Sequence, residues 1–367
     1  MSPGICWVVA CLSLVFIATT SRGIEISRVS VSVESFSPPR GQGVTIKYAI
    51  DVPGITNIDI FDPDFCLVRR LLKDIHQEKG AHEIEWDGKD LDGNLVPDEA
   101  YFFTIVAEDR DRNQAVYDPT TLSGGEEFDI TTANVDAASN TITYRLAKPS
   151  RMLIRVGISG GPLLNVPVSW EPRISGEITE YWKGRDQDGF IDLLAHPRFK
   201  MVITGFYLVE NSVITYGNTE EDYYNYKLRL GNQGQKKPAR TSAPREKGTK
   251  ISPHYLRPRV LDKPVDVALT FPQNSSGDSA VVPISPEREL VRVELAETDK
   301  VNFIDEPFEI SFFLDGEYYS EEEVGYTPYN WLWSLDNVDE GEHILTVNVS
   351  SFKDIIGIRS RKIRVIK

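Results

Sequence analysis

An internal repeat constrains the fold of this 367-residue chain more than any other feature of its sequence. Residues 86–93 (WDGKDLDG) return as residues 182–189 (WKGRDQDG), at an offset of 96 positions with five of the eight residues identical. The same offset aligns residues 45–48 (TIKY) with residues 141–144 (TITY) without a gap. Repetition at one fixed offset is typical of a structural unit used twice, so the sequence predicts two consecutive copies of one module.

The hydrophobic pattern inside each copy is that of β-strands. Residues 44–50 alternate apolar and polar side chains, as a strand with one buried face does. Further strands are predicted at residues 58–61, 101–106, 152–156 and 199–204, with Gly, Pro, Asp and Asn between them. Short strands separated by such turn residues are typical of a β-sandwich. Helical periodicity is scarce, and residues 71–79 are predicted to form one helical turn at most.

A longer motif surrounds the first repeated segment. It has the form G-x-H-x-x-x-W-D-G-x-D-x-x-G-x-x-V-x-x-x-x-Y-x-F, carried by Gly80, His82, Trp86, Asp87, Gly88, Asp90, Gly93, Val96, Tyr101 and Phe103. This motif resembles the immunoglobulin-like (Ig-like) domain of the flagellar hook-capping protein FlgD, a domain that recurs in many secreted and cell-surface bacterial proteins. The resemblance covers residues 44–106 and 140–208, and it implies a fold without implying a function.

The physical role expected of the motif is structural. Trp86 and Trp182 are predicted to close the cores between the two sheets of each copy, where a large aromatic side chain contributes most. The glycines permit turns with positive φ, and the aspartates can bond to their own backbone. The motif positions are Trp86, Gly88, Asp90 and Gly93, with Asp92 beside them, and Trp182, Gly184, Asp186 and Gly189 in the second copy. The second copy departs from the motif at Lys183, and residues 191–197 lengthen or reshape its next turn.

The C-terminal third is again predicted to be all-β, with strands at residues 289–295, 308–314, 329–336, 341–349 and 358–366. Its order LDG…PYxWxWxLD…GEHxLxVxV resembles another bacterial Ig-like domain, one found appended to glycosidases and surface proteins. Tyr329, Trp331 and Trp333 alternate along one predicted strand and therefore share a face. Two interpretations stay open for these aromatic residues: core packing, or a surface on which sugar rings stack.

The predicted organisation has five parts: a signal peptide at residues 1–23, Ig-like domains at 24–132 and 133–230, a basic Pro/Gly-rich linker or loop at 231–262, and a C-terminal Ig-like domain at 263–367. Residues 231–260 are basic, with Glu246 as their one acidic residue. The linker is either a solvated spacer or an electrostatic contact with an acidic surface of this protein or of a partner.

The N-terminal segment indicates the compartment. Residues 5–20 (ICWVVACLSLVFIATT) form an uncharged run of 16 residues, about the length of the apolar part of a signal peptide. We expect cleavage near Gly23 and export to the periplasm, the cell surface or the medium; an uncleaved anchor and lipidation at Cys11 are the alternatives. Cleavage would leave Cys66 as a single cysteine, which can form no intrachain disulfide and is expected to be buried.

Composition and motifs argue against several classes of function. The net charge is −15, which argues against nucleic-acid binding through overall charge. No HExxH, GxGxxG or Walker motif is present, and neither a cofactor nor a resident metal is predicted. The weak metal candidate is a calcium turn at Asp90, Asp92 and Glu99, in which Gly88 stands where an EF-hand loop has its first ligand. Ordinary turn chemistry is the preferred interpretation.

These observations favour a non-catalytic exported structural or adaptor protein. Its Ig-like modules would dock other envelope or extracellular proteins through exposed sheet edges and acidic faces. The alternative is a carbohydrate-binding or adhesive surface protein that uses the aromatic residues Tyr329, Trp331 and Trp333. An enzyme is not expected, because three β-modules leave no segment of catalytic size.

Overall fold

The computed structural model describes residues 23–230, 247–274, 281–284, 288–300, 303 and 306–366. Strands account for 53% and helices for 9%, arranged in several small sheets. The prediction of an all-β chain of tandem Ig-like β-sandwiches is confirmed. The signal-peptide prediction falls on residues 1–22, which lie outside the described residues, as does the first half of the linker, 231–246.

The strands, numbered in chain order, are β1 (Ile26–Val31), β2 (Ser35–Phe36), β3 (Val44–Ile50), β4 (Gly54–Phe61), β5 (Leu67–Gln77), β6 (Gly80–Trp86), β7 (Ala100–Glu108), β8 (Gln114–Tyr117), β9 (Glu127–Ile130), β10 (Asn134–Asp136), β11 (Thr141–Leu146), β12 (Ser150–Ile158), β13 (Leu163–Arg173), β14 (Gly176–Tyr181), β15 (Phe199–Tyr207), β16 (Val213–Thr215), β17 (Val267–Thr270), β18 (Val282–Ile284), β19 (Arg288–Leu295), β20 (Phe308–Leu314), β21 (Glu317–Glu322), β22 (Tyr329–Ser334), β23 (Gly341–Ser351) and β24 (Ile356–Val365). The α-helices are α1 (Tyr223–Leu230), α2 (Pro253–Leu256) and α3 (Glu297–Lys300). Short 3₁₀ turns lie at Pro38–Arg40, Pro119–Thr121 and Arg259–Asp262.

The first module packs the sheet β1-β3-β6 against the sheet β2-β16-β7-β4-β5, with β8 added beside β7. Its core lies between the two sheets and includes the fully buried side chains of Ile46, Trp86 and Phe103. Strand β16 follows the second module in the chain, yet it pairs with β7 and β2 of the first module. The first module is therefore closed by residues beyond its predicted boundary at 132/133.

The second module packs β10-β11-β14 against β13-β12-β15-β9. Strand β9 pairs with β15, so residues 127–130 belong to the second module although the predicted boundary placed them in the first. Both differences have one cause. Repeat spacing alone cannot show that a strand pairs with the sheet of a neighbouring module. That pairing depends on which sheet edge the strand meets in the folded chain, and the local sequence pattern does not record it.

The third module packs β17-β19-β22 against β18-β24-β23-β20-β21. Its core includes Val291, Phe312 and Trp333, which the structure buries between the sheets. The bounds of β20 coincide with the predicted strand at 308–314, and those of β3 in the first module with the strand predicted at 44–50.

The helical turn predicted within residues 71–79 is wrong. Residues 71–77 continue β5, which pairs antiparallel with β4 from Gly54 to Phe61. The register shifts at several points along this pair, and Asp74 has φ of 54°. Bulges place neighbouring residues such as Leu71 and Leu72 toward the same core, which imitates helical spacing in the sequence.

The helices within the described ranges are short, and α1 is the longest at 8 residues. None of them has the length and apolar character needed to cross a membrane.

Candidate functional site: the ionic junction between the modules

The repeated turn has the same geometry in both copies. The indole Nε1 of Trp86 donates to the carbonyl of Lys89 at 3.1 Å, and that of Trp182 donates to the carbonyl of Arg185 at 3.0 Å. Both tryptophans are buried in the core of their own module. Each turn is therefore closed by its own buried tryptophan.

The glycines and aspartates of the motif shape the turn. Gly88 and Gly184 have φ of 72° and 74°, a region that an L-residue adopts only at a cost. Carboxylate oxygen Oδ1 of Asp90 accepts from the backbone N–H groups of Asp92 and Asn94 at 3.0 and 2.9 Å.

The second turn is one residue longer than the first. Val96 N–H donates to the carbonyl of Gly88, whereas the matching bond in the second copy joins Leu193 to Gly184. The Asp186 carboxylate accepts from the backbone N–H of Ile191 at 2.6 Å. The extra residue lies between Gly189 and Ile191, directly before the segment where the sequence departs from the motif.

The calcium candidate is not assembled. Glu99 does not face Asp90 and Asp92, since its carboxylate accepts hydrogen bonds from Arg151 and Arg259. Asp92 is exposed on the turn. Within the described ranges, no group of three or more His, Cys, Asp or Glu side chains is placed to hold a metal ion.

The aromatic residues of β22 face the core of the third module. Trp333 is 0% exposed, and its ring stacks on that of Trp331 with centroids 5.2 Å apart. Trp331 also contacts Phe312 at 4.3 Å, and Tyr329 packs partly buried against the same core. The three residues share a face as predicted from their alternation, but this face is internal, so they form no open surface for stacking sugar rings.

The ionic junction, which we define as Glu99, Arg151, His254, Arg259 and Asp262, lies where the first two modules meet residues 247–264. Glu99 stands directly before β7 of the first module, and Arg151 lies on β12 of the second. Nη2 of Arg151 donates to Oε1 of Glu99 at 2.6 Å, and Nη1 donates to Oε2 at 3.2 Å. Both side chains are almost fully buried, at 1% and 4% exposed. This bidentate pair fixes the second module against the first.

Arg259 supplies the second positive charge. Its Nε donates to Oε2 of Glu99 at 3.0 Å, and its Nη1 donates to the hydroxyl of Tyr224 on α1 at 3.2 Å. Burial by itself would raise the pKa of Glu99, but the guanidinium groups of Arg151 and Arg259 outweigh it and hold that pKa below its ordinary value. Glu99 is thus a buried carboxylate that stays ionised.

Asp262 extends the junction toward the third module. Its Oδ1 lies 2.8 Å from Nδ1 of His254 and accepts from Nε of Arg257, also at 2.8 Å. Burial opposes ionisation of Asp262, but His254, Arg259 and Arg257 together keep its pKa below the ordinary value. Nε2 of His254 lies 3.6 Å from Oδ2 of Asp354, in the turn between β23 and β24 of the third module.

An aromatic cluster surrounds the junction. Phe102 of the first module, Trp170 and Phe206 of the second, and Tyr255 of α2 are buried in one shared core. The ring of His254 stacks on Trp170 with centroids 4.0 Å apart. Residues 251–262 are therefore no solvated spacer: they pack between the modules, and Arg257 and Arg259 bind buried carboxylates of this chain.

A second ion pair, with a buried carboxylate and a partly buried lysine, holds α1 to the first module. Nζ of Lys227 donates to Oδ2 of Asp62 at 2.7 Å and lies 3.0 Å from Sγ of Cys66. Cys66 is a free, buried cysteine, as expected for a single thiol. Burial raises the pKa of its thiol, and the Asp62 carboxylate raises it further, so the thiol stays protonated at neutral pH.

The third module docks on the repeated turn of the second. The Asp188 carboxylate accepts from the backbone N–H of Ser360 at 2.6 Å and from Nη1 of Arg359 at 3.0 Å. The side-chain amide of Asn348 bonds to both backbone groups of Leu163, at 2.9 and 2.8 Å. The aligned residue in the first copy, Asp92, makes no such contact with any described residue.

Sequence reasoning missed the junction. One signal was available: Arg151 begins the run Arg151-Met152-Leu153-Ile154, inside a strand whose residues are buried on both faces. A cation in such a strand needs a buried partner. The identity of that partner is not encoded locally, because Glu99 lies 52 residues away and Arg259 lies 160 residues from Glu99.

Comparisons by sequence find no match: no family model matches the chain. No curated protein matches it either. Solved structures do match. FlgD from P. aeruginosa is similar over 24% of this chain and 67% of its own, with 22% identity and a TM-score of 0.21.

Two adhesin structures are also similar. A solved chain, from a structure on the host cell surface retention of a 1.5-MDa bacterial ice-binding adhesin, matches over 94% of this chain and 99% of the solved chain, with 12% identity and a TM-score of 0.18. A tetra-tandem repeat from the extending region of a large adhesion protein covers 93% of this chain and 74% of its own, with 10% identity and a TM-score of 0.17. The resemblance to the FlgD Ig-like domain is confirmed at the level of fold.

Proposed function

We propose that this chain is an exported, non-catalytic scaffold whose Ig-like modules form a rigid arm that docks other envelope or extracellular proteins. The observation that carries the proposal is the ionic junction. It ties the two repeated modules and residues 247–264 together through buried charges, with a further contact to Asp354 of the third module. Modules joined by flexible tethers have no need of such contacts.

The junction suits a mechanical role better than a chemical one. The pKa of Glu99 is held below its ordinary value by Arg151 and Arg259, and that of Asp262 by His254, Arg259 and Arg257, so neither carboxylate is a ready proton donor or acceptor at neutral pH. Glu99 and Arg151 are also too buried to reach a substrate in solution. A group poised for acid–base catalysis has a pKa near the working pH, and these groups are shifted away from it.

Small-angle X-ray scattering on the full chain tests the rigidity. We expect one rigid, extended particle whose radius of gyration is the same at low and high salt, because buried charges are poorly screened. Affinity purification of the chain from its native envelope, with quantitative mass spectrometry, then tests the docking role. A flexible scattering profile, or turnover of an extracellular substrate that a point variant abolishes, would overturn the proposal.

An adhesive surface protein is the second candidate, and exposed aromatic residues of the third module favour it. Tyr318 and Tyr326 are 55% and 54% exposed, unlike Trp331 and Trp333. Tyrosine combines an apolar ring with a hydroxyl and is well suited to recognition surfaces. Binding of the chain to a panel of polysaccharides that is lost in Tyr326→Ser would support this candidate; binding unaffected by Tyr318→Ser and Tyr326→Ser would reject it.

A further inference from the structure

Among the described residues of the third module, strand β22 is a sheet edge on which no further strand pairs. It lies at one end of the sheet β17-β19-β22, and its register with β19 runs without a shift from Tyr329 to Ser334. Its sequence, YNWLWS, contains no charged residue and no proline. An edge strand of this kind presents unpaired backbone N–H and C=O groups to any strand that approaches it.

The other edge strands of the described sheets that are longer than four residues all carry charged side chains. Strands β6, β14 and β21 each contain glutamates, and β1 and β5 contain charged residues and register shifts. Strand β13 contains Pro167 and Pro172 as well as charged residues. Charges, prolines and bulges are the features that keep edges from pairing with other chains. Strand β22 lacks all three.

The opposite edge of the same sheet shows that this module does protect its edges. The carbonyl of Val267 on β17 accepts from Nε of Arg359 at 2.7 Å, and that of Leu269 accepts from Nε of Arg361 at 3.3 Å. Two arginines of β24 therefore occupy backbone acceptors of β17. On β22, the Tyr319 hydroxyl donates to the backbone carbonyl of Ser334, which lies at the end of the strand.

Exposed apolar side chains surround the β22 edge. Leu332 is 54% exposed and lies opposite Leu290 of β19 on the outer face of the sheet. Val324 and Tyr326, in the segment that leads into β22, are 74% and 54% exposed. An added strand would cover these side chains, and burial of apolar surface adds to the main-chain hydrogen bonds in β-strand addition.

Acidic residues flank both ends of the strand: Glu321, Glu322 and Glu323 before it, and Asp336, Asp339 and Glu340 after it. This charge selects the partner. In an antiparallel pair of two β22 strands, the acidic segment before one strand would face the acidic segment after the other, which disfavours a second copy. Residues 231–246 of this chain are basic but contain Pro238 and Pro244, which interrupt a ladder.

We propose that the β22 edge accepts an extended segment of a partner protein in which lysine or arginine alternates with apolar residues. The added strand would extend the sheet β17-β19-β22, its apolar side chains would cover Leu332 and Tyr326, and its cations would lie near the flanking glutamates and aspartates. The proposal rests on the proposed docking function and names the surface and the partner chemistry that serve it.

The test uses the full chain and a fluorescently labelled synthetic peptide of alternating lysine and valine. A control peptide has the same composition except for a proline in place of the central valine. We expect the first peptide to bind with an anisotropy change, to lose affinity with salt, and to slow amide hydrogen exchange at residues 329–334 by about tenfold or more. The proline peptide should bind about tenfold more weakly, because proline removes a ladder donor.

Matched variants locate the site. Leu332→Lys places a cation on the exposed face of β22 and should weaken binding about tenfold. Val116→Lys makes the same change on β8, where Val116 is 57% exposed, and should leave binding unchanged. Equal binding of the two peptides, unchanged exchange at 329–334 under saturating peptide, or equal losses in both variants would overturn the proposal. The peptide comparison needs no variant to fold, and these failures would leave the scattering test of the scaffold unaffected.

Discussion

The Arg151 guanidinium of the second module and the Glu99 carboxylate of the first form a bidentate ion pair, with Nη2–Oε1 and Nη1–Oε2 distances of 2.6 and 3.2 Å. Nη1 of Arg151 also donates to the carbonyl of Trp170 at 2.9 Å. Neither charge reaches water, so each depends on the other for its solvation. The pair therefore specifies how the two modules sit against each other more than it adds to their stability.

Loss of one partner of this pair should be costly. Arg151→Met leaves Glu99 buried with Arg259 as its remaining cation, and we expect the free energy of unfolding to fall by about 3–5 kcal/mol. Urea unfolding followed by tryptophan fluorescence measures this, since Trp170 lies beside the pair. Lys89→Met, which removes an exposed partner of Asp87 at 3.6 Å, is the control and should cost about 0–1 kcal/mol.

The same pair should show strong coupling in a double-mutant cycle. Glu99→Gln combined with Arg151→Met removes both charges, so the double variant should be more stable than the sum of the single losses predicts. If the stability losses of the two single variants simply add in the double variant, the pair does not act as a unit. The ion pair would then not determine how the two modules sit against each other.

Acid should weaken the junction. The pKa of Glu99 in the folded chain lies below its ordinary value of 4.5, so its ionised form contributes stability that is complete above about pH 4.5 and is lost as the pH falls through the lower folded pKa. The gap in stability between the native chain and Glu99→Gln should therefore be widest at neutral pH and narrow in acid. Urea unfolding at a series of pH values measures the gap, and the exposed Glu177→Gln should show none.

The repeated turns could be predicted from sequence, and the junction could not. The turn of residues 86–93 is local: Trp86 bonds to Lys89 and Asp90 to Asn94, so its spacing is visible in the chain. The partners of Glu99 come from β12 and from residues beyond α2, and nothing in the local pattern around Glu99 marks it as buried. Charge composition left open whether residues 231–262 form a solvated spacer or contact acidic groups, and it did not indicate that Glu99 and Asp262 are such groups.

The aromatic residues of β22 show a related limit. Alternation of Tyr329, Trp331 and Trp333 correctly places them on one face, because strand geometry has a period of two. Whether that face points to the core or to solvent depends on the sheet that covers it, here through contacts with Phe312 and Tyr319. Sequence alternation alone cannot distinguish the two.

Cys66 should be protected from reagents in the folded chain. It is 5% exposed, and burial together with Asp62 raises its pKa, so little reactive thiolate is present at neutral pH. Alkylation by iodoacetamide, followed by peptide mass spectrometry, should be on the order of a hundredfold slower than at a thiol introduced by the exposed substitution Ser139→Cys. Denaturant should abolish the difference; equal rates in the native chain would contradict the burial of Cys66 beneath α1.

The docking of the third module should depend on Asp188 and not on its repeat-related counterpart Asp92. Asp188→Ala removes the acceptor of the Ser360 N–H and one anionic partner of Arg359, while Gln187 keeps its bond to the carbonyl of Ile358. Amide exchange at Ser360 should therefore accelerate, and protease cleavage between the second and third modules should become faster. Asp92→Ala makes the same change in the first copy, where the side chain is exposed, and should alter neither. Equal effects of the two substitutions would show that the repeated turn stabilises its own module only, and that other contacts, such as that of Asn348 with Leu163, hold the third module in place.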